Sequence, residues 1–215
     1  MKVRRAFKPH IWSRFRGKGL HGNVVLNFTK FPKGEFGVYA RAYHEAGQHV
    51  ARRLAERRGY RDPDACPIVF LYRHALELYL KSFIYWGNSL LRMNKKAVVM
   101  KQQELFRTHN LLRLAAATRP IFRLAGSLTK WPDASFKSFK HFERLLKELD
   151  RTDPGSYSFR YPINSKGDAS LPGHFCFNVS DFAAQLDQLL NLLSAADTWA
   201  YEMFQAQAEA EYNYR

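Results

Sequence analysis

Cysteine is nearly absent from this chain. The two that occur, Cys66 and Cys176, stand alone, so no CxxC pair and no zinc motif is present. Two isolated thiols in 215 residues read as the reduced cysteines of a cytoplasmic protein. No run of about 18 uncharged apolar residues occurs, so no membrane span is expected. The start, MKVRRAFKPH, is basic but lacks an apolar stretch behind it, so no signal peptide is expected. A P-loop, a GxSxG elbow, an HExxH pair and a GxGxxG turn after a strand are all missing, which argues against nucleotide hydrolases, serine hydrolases and zinc enzymes. No cofactor motif and no metal-ligand set is visible. His44 and His49 are five residues apart rather than the four of a helical metal pair. Asp150, Asp153 and Asp168 fall in expected loops without an evident partner. Acid is missing altogether from residues 1 to 34.

Positive charge and aromatic rings fill those gaps. The formal net charge is +15 and the isoelectric point is near 10.0. An excess of this size favours a polyanionic partner, with nucleic acid ahead of anionic membrane; simple solubility is the bland alternative. The first 34 residues carry Arg4, Arg5, Lys8, Arg14, Arg16 and Lys18 among their cations, interleaved with Phe7, Trp12 and Phe15. Cations beside stackable rings suit a single-stranded nucleic acid or an RNA backbone. An arm that packs its rings on the core and leaves its cations in water would have the same composition. Hydrophobic content of 46% and aromatic content of 15% are enough for a sizeable core.

Periodicity organises the rest. A helix is expected over about 36–58, closed by Gly59 and very basic in its last turns. A second, over about 67–91, is apolar nearly all round, as the central helix of a core would be. Its charges form one stripe: Arg73, Glu77 and Lys81 fall within about 80° of each other, with His74 beside them. Such charges must be paired, lie at an interface or line a site. Residues 92–103 are polar and read as a loop or as continued helix. A further helix opens near His109, with Thr108 as cap and Pro120 expected to kink or split it. The next is capped by Asp133 or Ser135, and the last runs from about Asp181 to Tyr212 behind Ser180. Between these two, YSFRYP and HFCFNV alternate and suggest a β-hairpin at 155–179. The fold class expected is therefore mostly α: a helical bundle of about five helices with an inserted β-hairpin and a basic N-terminal arm. The arm covers 1–35 and the helical domain 36–215.

The best chemical constellation is scattered: Arg73 and His74 on the central helix, His109 opening another, and Arg160 in the expected hairpin. A metal-independent ribonuclease needs little more, a histidine to move the 2′-hydroxyl proton and an arginine to hold the phosphate. The bland alternative makes Arg73–Glu77 and Glu77–Lys81 structural pairs at i,i+4.

PIVFLYRHALELYLKSF followed by THNLLRL resembles bacterial HEPN-type helical domains. In those an apolar helix with a polar cluster precedes a helix opening His-[Asp/Asn]-Leu, here His109-Asn110-Leu111. The resemblance covers about 66–150, with the last helix as its completion. It implies an RNA-directed protein of a toxin–antitoxin or phage-defence system, commonly a homodimer, with a protein partner or antitoxin and no cofactor. It also implies metal-independent cleavage in active members, which carry Arg and then His after four to six intervening residues. Here those positions after Arg73 are Leu78, Tyr79 and Leu80. Three readings therefore stay open: a ribonuclease using another set such as Arg73, His74 and His109, a non-catalytic module that binds nucleic acid or docks a partner, or a structural or phage-encoded accessory protein that does neither.

Overall fold

The computed structural model describes residues 24, 32–56, 61–126, 139–171, 173, 174 and 176–213. The chain divides into two units, Met1–Pro32 and Lys33–Arg215, and the α-helices among the described residues belong to the second. The arm cations Arg4, Arg5, Lys8, Arg14, Arg16 and Lys18 lie outside the described residues, as do the expected caps Gly59, Asp133 and Ser135.

Six helices are described: α1 (Phe36–Ala55), α2 (Cys66–Met93), α3 (Gln102–Arg107), α4 (Leu111–Leu124), α5 (Phe139–Thr152) and α6 (Val179–Asn213). The mostly helical expectation holds. The central helix is α2, on which α1, α4 and α6 all pack, with α3 as a smaller neighbour; α5 packs on α4. Of its 28 residues, 18 are buried, so it is enclosed by the others and its apolar circumference is accounted for. Ile68, Leu76, Leu80, Phe83 and Ile84 are fully buried there, and Phe83 meets Phe122 of α4 with ring centroids 4.7 Å apart. Gly87 lets α4 come close: a methyl on it would fall 2.6 Å from Ile121 Cγ2.

Helix ends differ from expectation where a side chain nearby does the capping instead. Asn110, not Thr108, caps α4, its Oδ1 accepting from Arg113 N at 2.7 Å. Asn178, not Ser180, accepts from Asp181 N at 3.0 Å. Pro120 neither splits α4 nor ends it. Pro120 and Ala116 are both exposed, so the carbonyl whose helical donor proline removes faces water.

The hairpin expected at 155–179 is not met. Among the described residues no strand forms, and the only β pairing is one antiparallel bridge, Ile163 to Ala169. Asp153 draws the first half of the segment into a turn, its Oδ1 accepting from Tyr157 N at 2.7 Å and Ser158 N at 2.9 Å. Arg160 N and Tyr161 N then both donate to Tyr157 O. With these amides taken locally, YSFRYP has few to offer a partner strand.

Candidate functional site: a buried charge network and its exposed rim

The charged stripe of α2 is sealed. Arg73, Glu77 and Lys81 are 1%, 1% and 3% exposed, so every polar atom needs a partner within the protein. The i,i+4 spacing supplies the first two. Arg73 Nη1 donates to Glu77 Oε2 at 3.4 Å, and Lys81 Nζ donates to Glu77 Oε1 at 2.9 Å. The rest come from far along the chain. Arg73 Nη2 donates to the carbonyl of His109 at 3.1 Å, and Nε to the carbonyl of Asp153 at 3.1 Å. The carboxylates of Asp153 and Asp150 lie 3.4 Å and 3.9 Å from the guanidinium.

Asp150 and Asp153, unpartnered on a sequence reading, are thus corrected to members of this network. Asp150, in the last turn of α5, accepts from Leu111 N at 3.0 Å and from Asn110 Nδ2 at 2.7 Å. It meets the open amides of the α4 N-terminus, where a carboxylate is favoured. Asp153 anchors the turn that carries Tyr157 and Arg160. One buried guanidinium therefore ties together the end of α5, the entry to α4 and the 153–160 turn.

The electrostatics come from this packing. Burial alone would raise the Glu77 carboxyl, but Lys81, His109 and Arg73 outweigh it and hold Glu77 below its ordinary range. For Asp150 burial wins over the Leu111 amide and the Arg73 charge, and its carboxyl is raised. Two cations, Arg73 and Lys81, thus face three carboxylates, Glu77, Asp150 and Asp153.

The four sequence-predicted site residues separate into two kinds. Arg73 is interior, with its guanidinium committed. His109, Arg160 and His74 lie at the rim. His109 presents a ring whose side chain is 55% exposed, while its Nδ1 lies 2.9 Å from Glu77 Oε1. Because Glu77 is ionised at neutral pH, it can only accept. That puts the imidazole hydrogen on Nδ1 and leaves Nε2 as the basic atom. Arg160 is exposed; its Nε donates to Ser156 O at 2.6 Å. Its guanidinium lies 5.0 Å from the Tyr157 ring centroid, 5.3 Å from Phe70 and 5.8 Å from Tyr161. Tyr157 and Tyr161 are 58% and 55% exposed.

His74 stacks on Phe70 (5.6 Å, 12°) and meets Tyr43 edge-on at 4.4 Å. Burial, assisted by Lys81, Arg160 and Arg73, lowers its pKa against the pull of Glu77, so the ring is neutral at pH 7. Phe70 joins His74 to Arg160; Glu77 joins His109 to Arg73. The four do not converge on one point. Among the described residues no group of three or more metal-ligating side chains gathers, and no helix is long and apolar enough to cross a membrane.

Sequence reasoning also missed Asp187 of α6, 143 residues from His44, whose Nε2 it meets at 2.7 Å. Its only trace in the sequence is a lone acid inside an apolar periodicity. No family model, curated protein or solved structure matches the chain.

Proposed function

We propose that the protein is an RNA-directed, HEPN-like helical protein of a bacterial defence or toxin–antitoxin system, and that its primary property is binding single-stranded RNA at the rim of the Arg73 network. The observation that carries this reading is the Arg160 patch: an exposed guanidinium stacked among two exposed tyrosines and Phe70, on a chain of net charge +15. Bases stack on such rings and a phosphate pairs with such a cation. The arm cations Arg4 to Lys18 suit the same class of partner by composition. Arg73 takes no part in binding phosphate, because its donors are already committed inside the protein. The basic charge supports a nucleic-acid partner; a homodimer and a protein partner or antitoxin rest on the family resemblance alone.

A second reading, metal-independent cleavage, is favoured by the pairing of His109 with Glu77. An ionised, buried carboxylate that fixes the imidazole leaves Nε2 to take a 2′-hydroxyl proton, and Arg160 would then steady the phosphate. In this scheme Glu77 is a positioning residue.

The deciding experiment incubates the purified protein with labelled single-stranded RNA in EDTA, resolved on native and denaturing gels at two salt concentrations. A salt-sensitive shift with intact RNA supports the binding reading. Cleavage lost in His109→Ala supports the second. Neither shift nor cleavage overturns both.

A further inference from the structure

α1, α2 and α6 meet around Asp187, away from the Arg73 network. Its Oδ1 accepts three hydrogen bonds: from His44 Nε2 at 2.7 Å, Tyr72 OH at 2.9 Å and Gln48 Nε2 at 3.0 Å. His44 and Tyr72 are buried, yet the Asp187 side chain is 31% exposed. Three donors saturate Oδ1, and among the described residues none reaches Oδ2. A latch between helices needs only the first oxygen. Asp187 lines a cleft of about 280 Å³ together with Gln48, Arg52 and Ser180.

The lining carries both acceptors and a cation. Its residues include the Asp187 carboxylate, Gln48, whose amide nitrogen is already used on Asp187 so that its carbonyl is left to accept, and the Ser180 hydroxyl. These are three acceptors for a group rich in N–H. Arg52, an exposed cation, borders the same space, close enough for its charge to act on the Tyr72 hydroxyl. Ala51, Ala55, Ala183 and Ala184, with Tyr72, form the remaining wall, which is largely apolar and leaves room. An ammonium has three N–H donors and a charge opposite to that of Asp187. A carboxylate suits Arg52. A molecule carrying both has no net charge, so the strongly basic protein does not repel it.

From this arrangement we infer that the Asp187 cleft is a binding site for a free α-amino acid, its ammonium on Asp187, Gln48 and Ser180, its carboxylate on Arg52 and an apolar side chain on the alanine wall. The inference does not depend on the RNA reading, and its test contains no RNA.

The test is a thermal-shift series on the full chain with each of the twenty free L-α-amino acids at about 10 mM, where a ligand with Kd near 1 mM raises Tm by about 3 °C. At least one apolar amino acid is expected to give such a rise. Its N-acetyl derivative, which lacks the ammonium, is expected to give none, and Arg52→Ala is expected to abolish the rise. Arg52 is on the surface, so that variant folds; Asp187→Asn is the companion variant and loses the rise as well. Absence of a shift with all twenty overturns the proposal, as does a shift unchanged in Arg52→Ala. An amino-acid amide that binds as well as the free acid overturns the assignment too, and identifies a peptide N-terminus as the source of the ammonium.

Discussion

Arg73 and Arg160 are both arginines that sequence patterning places in a candidate site, and the protein treats them in opposite ways. Arg73 is 1% exposed and gives its donors to two carbonyls and a carboxylate of its own chain. Arg160 is exposed, holds one carbonyl and stacks on three rings. Burial turns the first into architecture, because a sealed charge is worth most to the groups it ties together. Exposure leaves the second free to meet a ligand, at little consequence for the fold. Two acids differ instead in the company they keep. Glu77 is buried among cations and held below its ordinary value. Asp197 is raised to about 6, chiefly by burial, against the weaker pulls of Ser82 and Arg41.

The sharpest break of this comparison is Arg73→Met. It keeps the volume and leaves Glu77, Asp150 and Asp153 facing one another without their shared cation. The expected loss is about 3–5 kcal/mol of stability, read as a shift in the denaturant midpoint. An unchanged midpoint would mean that the network is not structural.

Next comes Asp197→Asn. A carboxyl that holds its proton more tightly when folded contributes stability fully present below pH 3.8. That contribution is lost as pH rises through about 6. At pH 7 the ionised group is a cost, and since it is only part-buried the neutral amide is expected to gain about 1–2 kcal/mol. Thermal melts at pH 4, 5.5 and 7 should show wild type and variant diverging as pH rises; parallel curves would refute the assignment. For Glu77 the sign is opposite: its contribution is present at neutral pH and fades as pH falls below about 4.5.

Asn110→Ala removes the α4 cap and one hydrogen bond to Asp150, and should cost about 1 kcal/mol in the same unfolding assay. Smallest in stability is Arg160→Ala, expected within about 0.5 kcal/mol of wild type. If the rim binds RNA, the same change weakens the gel shift about tenfold. Equal effects of Arg73→Met and Arg160→Ala on stability would dissolve the distinction between interior and rim.

Much of the fold was legible because it is periodic. The apolar spacing over 36–55, 66–93 and 179–213 marks α1, α2 and α6 to within a few residues. The pairs Arg73–Glu77 and Glu77–Lys81 come from i,i+4 spacing alone. What could not be read is what depends on distant partners. Asp153 reaches Arg73 across 80 positions, and Asp187 reaches His44 across 143; nothing local distinguishes either acid from a solvated one. The hairpin expectation fell short for a related reason. Alternation in YSFRYP is a genuine strand signal, but Asp153 Oδ1, placed just before it, takes the Tyr157 and Ser158 amides first. A single carboxylate outcompetes the ladder, and among the described residues only the Ile163–Ala169 bridge survives.

The enclosure of α2 has a consequence in time. Amides near the middle of a helix with no free face are released to solvent only when its neighbours come away together, so those around Ala75 to Ile84 should exchange at the rate of global unfolding. Tyr157 and Arg160, by contrast, project from the 153–160 turn as exposed side chains and should rearrange locally, many times for each such event. The residues that hold the rim in place would then persist while its exposed side chains sample other arrangements, so a ligand could reshape the edge of this molecule without disturbing its axis.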